Sequence, residues 1–165
     1  TCDMARAVLD LGADGIFFAA QSGTYDYMTA EEYQEFGVPY DLEVFQAAEK
    51  GWMNTVHVHG SNIMFELLKD YPAQAFNWHA WETLPTVDEA AVMTGKCLMG
   101  GLNRTDITRK DRNAIQHQIY ECYRMLGGRN QILTPGCVIR YPLDDAMLSY
   151  VKQAKDMVES KMRRS

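Results

Sequence analysis

Five short apolar runs, each separated from the next by helical segments, constrain this chain more than any other feature. Gly15-Ile16-Phe17-Phe18-Ala19, the stretch from about Asn54 to His59, Gln74-Ala75-Phe76-Asn77-Trp78, Cys97-Leu98-Met99-Gly100-Gly101 and Gln131-Ile132-Leu133-Thr134 each read as a strand. Between them the spacing predicts helices. Residues 2–11 are stopped by Gly12, and Thr29 with Glu32 forms a capping-box signature for a helix ending near Phe36. Further helices are expected over Leu42–Lys50 and Asn62–Lys69, and from a Thr86/Glu89 cap to Met93. Two longer ones cover about Arg109–Leu126 and Asp144–Met162. Strands alternating with helices imply βα units and a parallel sheet.

The polar and glycine-rich residues fall directly after the strands: Gln21-Ser22-Gly23, His59-Gly60-Ser61, His79, Gly101-Leu102-Asn103 and Gly136-Cys137. A β/α barrel places its functional residues at the C-terminal ends of all its strands, whereas an open doubly wound sheet gathers them at one switch point. The expected fold is therefore α/β of the (β/α)8 TIM-barrel type. Residues 1–165 would form the C-terminal five βα units of one barrel, with three strands missing. The chain also opens in the middle of a helix, as a fragment would. A partial barrel exposes sheet edges, so either a missing N-terminal half or a homo-oligomer is expected to cover them.

Composition removes several function classes. With 47% hydrophobic and 23% charged residues the chain resembles an ordinary soluble domain, and a net charge of −6 argues against nucleic acid as a partner. No apolar run approaches the ~20 residues a membrane span needs. Cys2, Cys97, Cys122 and Cys137 are too scattered for a disulfide framework, which makes a reducing cytoplasm the expected location.

The chemistry centres on Thr55-Val56-His57-Val58-His59-Gly60. Side chains two apart on a strand share a face, so His57 and His59 project together. Neutral imidazole is a preferred ligand for zinc, and Cys137 at the end of a later strand could converge with the pair. The competing reading is a hydrogen-bonded histidine pair and an inert thiol. His79 follows Asn77-Trp78 and stands open between fourth ligand, general acid/base and exposed loop residue. Tyr25 and Tyr27 are candidate pocket-lining phenols, with Tyr25 a candidate catalytic group. Arg104, Arg140 and Asn103 follow strand ends as candidate substrate-binding residues, the arginines suited to a carboxylate or phosphate.

Four stretches, in order, resemble the C-terminal half of the uroporphyrinogen decarboxylase superfamily. They are Gly12-Ala13-Asp14-Gly15 through Glu32-Tyr33-Gln34-Glu35-Phe36 to Pro39-Tyr40, then Val56-His57-Val58-His59-Gly60, then Met99-Gly100-Gly101-Leu102-Asn103, and Ile132-Leu133-Thr134-Pro135-Gly136-Cys137. That superfamily includes zinc-dependent methyltransferases that move methyl groups between corrinoid proteins and a thiol such as coenzyme M. The resemblance implies a barrel with its pocket at the C-terminal mouth. It maps the methyltransferases' His-x-Cys…Cys ligand set onto His57, His59 and Cys137, with His59 replacing a cysteine. The decarboxylases' active-site serine and late histidine fall on Ala20 and Cys137, which argues against tetrapyrrole decarboxylation.

The resulting expectation is a Zn²⁺-dependent methyltransferase-like enzyme working with a corrinoid protein or a thiol or pterin methyl carrier. The alternatives are uroporphyrinogen III decarboxylation and a non-catalytic module that binds a corrinoid or tetrapyrrole.

Overall fold

The computed structural model describes residues 1–164. Its centre is one five-stranded sheet of β1 (Phe17–Ala20), β2 (Thr55–Val58), β3 (Ala75–Asn77), β4 (Cys97–Leu102) and β5 (Gln131–Pro135). All neighbouring pairs are parallel, and the strands lie in sequence order, β1-β2-β3-β4-β5. Every strand pairs with the next in the chain, so the sheet has no point where the order reverses and no doubly wound switch crevice. Crossovers of one hand then bring successive helices onto the same face.

The strand register divides the side chains cleanly. Phe18, Val56, Phe76 and Leu98 lie in one row across β1 to β4. Val56, Phe76 and Leu98 are essentially sealed from solvent, in a core completed by Phe45, Phe65, Leu68 and Tyr71. The next row along holds Ala19, His57 and Asn77 in register on the opposite face. That face is only partly covered: Phe17 is 57% exposed and Ile132 39%. One face of the sheet is thus hydrophobic packing, and the other carries the polar chemistry.

Helices α1 (Cys2–Asp10), α2 (Ala30–Phe36), α3 (Val38–Ala47), α5 (Val87–Thr94), α7 (Arg112–Leu126) and α8 (Asp145–Met162) occupy expected positions, with the single turn α4 (Phe65–Leu68) and the short α6 (Arg104–Arg109) between them. The Thr29/Glu32 capping box forms, each partner bonding the other's backbone N–H. Three segments differ from the sequence reading. Helix α3 starts at Val38, because Pro39 in the first turn has no N–H to lose. Helix α4 is cut to one turn, because residues 62–64 are spent bonding the loop after β1, through Asn62 O to Tyr25 N and Gly23 O to Met64 N. Helix α6 is additional. It is capped by Asn103, whose side chain accepts from Thr105 N and Asp106 N, and it ends at Lys110 in a left-handed conformation. A second core of Leu102, Ile107, Ile115, Ile119 and Met147 packs α6, α7 and α8 together.

Among the described residues no helix is long and apolar enough to cross a membrane. All four cysteines are free thiols.

A candidate metal centre at the strand ends

Two strands, β3 and β5, deliver one donor group each and β2 delivers two. His57 is the third residue of β2, and His59 stands just beyond the strand on the same side. Gly60 follows at φ +114, a conformation that favours glycine, and turns the chain under Thr24, where even a Cβ would come within 3.2 Å. The turn is tied down by Thr24 Oγ1 donating to Asn62 O and by the Thr24–Ile63 bridge.

His79 lies two residues past β3, in a tight turn where Glu82 N and Thr83 N both donate to its carbonyl. Trp78 beside it is fully buried and donates its indole N–H to Pro85 O. Cys137 arrives from β5 through Thr134-Pro135-Gly136.

The four side chains meet. One ligand atom each from His57, His59, His79 and Cys137 lies within 4.8 Å of every other. The three imidazole centroids form a nearly equilateral triangle with sides of 5.4, 5.7 and 6.0 Å. His57 and His79 are buried, and His59 and Cys137 are partly so. His57, His59 and Cys137 border a cleft of about 540 Å³ that is also lined by Phe17, Gln21, Asn77, Met99 and Thr134.

Two observations test whether the cluster suits a metal ion. His57 Nε2 and His59 Nδ1 are 3.2 Å apart. Two nitrogens bound at about 2.0–2.1 Å to one tetrahedral ion would stand about 3.3 Å apart, so this pair already has a ligand–ligand spacing. The second is His79, which is 3% exposed and has no hydrogen-bond partner on either ring nitrogen. An unpaired polar group in such a position costs about 1–3 kcal/mol. A metal ligand removes that cost, and the residues present fit a cation with nitrogen and sulfur donors.

The electrostatics agree. Burial, followed by the charge of Arg104, pushes the His79 pKa down to about 4. Burial also lowers that of His57, partly offset by its hydrogen bond to Asn77, with the charges of His59 and Arg104 adding to the depression. Both rings are held neutral, the form that binds metal. The 3.7 Å approach of Glu82 to His79 Nδ1 is therefore a polar contact and not an ion pair.

The other sequence candidates are placed as follows. Arg104 and Arg140 come together, with Glu82, Thr105, Thr108 and Arg109, around a second cavity of about 360 Å³. Arg104 pairs with Glu82 at 3.4 Å, so Glu82 stands between this cavity and His79. Asn103 spends its side chain capping α6. Tyr25 is half exposed on the loop after β1, outside the residues that line the histidine cleft, and its backbone N–H bonds Asn62 O. Asn77 was not singled out by sequence, yet it bonds His57 directly. Its signal was parity: Asn77 and His79 repeat, one strand over, the spacing of His57 and His59.

No protein-family model matches the sequence, and no curated protein is similar to it. Among solved structures, the fold is similar to a methyltransferase from Methanosarcina mazei, with a TM-score of 0.78 and 17% sequence identity over 93% of this chain. The chain spans 44% of the length of that methyltransferase.

Proposed function

We propose that this chain is a set of five consecutive βα units from a (β/α)8 barrel, and that it carries the metal site of a zinc-dependent methyltransferase. The observation that carries the reading is the convergence of His57, His59, His79 and Cys137 on one point at the C-terminal ends of the strands. Sequential strand order and a functional cluster at the strand ends are both features of such barrels. The fold likeness to a methyltransferase supports the reaction class at a coarse level, and the motif order resembles that of the uroporphyrinogen decarboxylase superfamily. In this reading the uncovered strand edges and the exposed Phe17 meet further barrel strands or a second copy.

His57, His59 and Cys137 would hold Zn²⁺, and His79 would be a fourth donor that gives up its place to an entering thiol. When bound, the ion supplies Lewis acidity that lowers the pKa of a thiol entering the site. Around it, the chain's own groups do the rest. His57 and His79 present neutral imidazoles because burial and Arg104 disfavour their protonation. Arg104, Arg109 and Arg140 line the neighbouring cavity and suit an anionic tail on the thiol. Among the described residues, Arg109 and Arg140 have no carboxylate at ion-pair distance, so their donors are available to such a tail. In the transfer itself the thiol proton leaves to solvent and the sulfur lone pair forms the new S–CH₃ bond. The bond between the methyl group and its donor, a methylated corrinoid, breaks with its electron pair remaining on the donor.

Metal analysis of the purified protein, with and without H57A and C137A, tests the reading. One zinc per chain, lost in both variants, supports it. A metal-free protein after zinc supplementation contradicts it.

A further inference from the structure

We infer that Asn77 is a positioning residue of this centre, which fixes the tautomer and orientation of His57 so that Nε2 faces the ion. The inference rests on the metal reading for its purpose, but not for its geometry. Asn77 is 3% exposed and sits on β3 directly in register with His57 on β2. Its amide nitrogen points to two backbone carbonyls, Met99 O at 2.5 Å and Pro135 O at 3.4 Å. Carbonyls only accept, so this end of the side chain must be the NH₂ and the other end the oxygen. Asn77 Oδ1 lies 2.5 Å from His57 Nδ1. Two bare lone pairs could not approach so closely, so His57 Nδ1 carries the proton and donates it to Asn77.

A neutral imidazole has one N–H and one lone pair. With Nδ1 protonated, the lone pair is on Nε2, the atom 3.2 Å from His59 Nδ1. Phe17 stacks on the His57 ring at 5.6 Å and 24°, which fixes its plane from the side opposite the sheet neighbour. Imidazole in water favours the other tautomer, Nε2–H, so the Asn77 bond reverses a default. The same amide joins the end of β3 to the middle of β4 and the end of β5. It therefore couples the ligand on β2 to the strand that delivers Cys137. Aspartate would lose the donor and set a carboxylate oxygen against the two carbonyls. Glutamine would overreach by one methylene. A purely structural asparagine needs only the two carbonyl bonds and has no reason to meet His57.

The test uses metal-free, full-chain protein and nitrogen-15 NMR of the histidine rings, with N77L and N77D as variants and Co²⁺ titration as a second readout. Wild type is expected to show His57 as Nδ1–H with an unprotonated Nε2. N77L is expected to lose that tautomer and to bind Co²⁺ about 10–100-fold more weakly, the usual cost of removing such a partner. N77D keeps the acceptor, so it retains both the tautomer and most of the affinity while losing thermal stability. An Nε2–H tautomer in wild type overturns the inference, and this holds even if N77L fails to fold. So does an N77D affinity loss equal to that of N77L. Absence of Co²⁺ binding by wild type would overturn the metal reading instead, while the ring tautomer would still decide the role of Asn77.

Discussion

Gly136 presses against the backbone of His79. A Cβ at Gly136 would stand 2.6 Å from His79 Cα and 2.5 Å from the carbonyl oxygen of Trp78, distances that no methyl group tolerates. This contact places Cys137, the next residue, beside His79, which follows a different strand. The Pro-Gly-Cys sequence at the end of β5 therefore has a steric purpose: proline ends the strand, glycine permits the approach, and cysteine is the group delivered.

G136A is accordingly expected to cost about 1–3 kcal/mol, as overpacking against backbone does. It should also weaken Co²⁺ binding, because Cys137 is displaced. Denaturant unfolding and cobalt titration of the same samples check both effects. Unchanged stability would mean that the two strand ends do not touch.

H79L should act in opposite directions with and without metal. In the metal-free protein it removes an imidazole with both nitrogens unpaired, so stability should rise by on the order of 1 kcal/mol. With zinc present, loss of a donor should lower affinity roughly tenfold or more and reverse the order of stabilities. Thermal melts in chelator and in zinc measure the reversal.

The metal-free protein should lose stability on acidification through His79. Its pKa is 6.5 when unperturbed and about 4 in the fold, lowered by burial first and by Arg104 second. Between those values the unfolded chain binds a proton that the folded chain does not, so stability is full above pH 6.5 and falls as the pH drops toward 4. The group contributes on the order of 3 kcal/mol across that window. Denaturant melts as a function of pH should show the slope in wild type and a flatter profile in H79L.

R140A and R109A test the neighbouring cavity. Each should weaken binding of coenzyme M to the zinc-loaded protein by about 10–100-fold, the usual worth of a hydrogen bond to a charged group. Binding of mercaptoethanol, which has a thiol and no charge, should be unchanged. Calorimetry with the two thiols separates an anion site from a general loss of affinity.

The five strands were legible because each is a short apolar run bounded by glycine or proline, and their sequential pairing follows from the unbroken alternation with helices. The His57/His59 pair was legible from period-two geometry, and Cys137 from a resemblance in motif order. His79 stood open between three roles because it lies beyond the end of β3, where strand periodicity no longer fixes direction. Its burial and unpaired nitrogens are tertiary facts. Asn77 escaped because a lone asparagine in a strand gives no sign of which carbonyls it will meet 22 and 58 residues away. Helix α6 escaped because Thr105, Ile107 and Thr108 are β-branched, poor helix formers that Asn103 capping and burial of Ile107 override.

The central claim is that three imidazoles and one thiolate hold a single zinc ion, and X-ray absorption of the zinc-loaded protein tests it most directly. The account predicts one zinc per chain, with a sulfur at about 2.3 Å, nitrogens at about 2.0–2.1 Å, and loss of the sulfur shell in C137S. Zinc bound with no sulfur neighbour, or bound equally well in C137S, would contradict it.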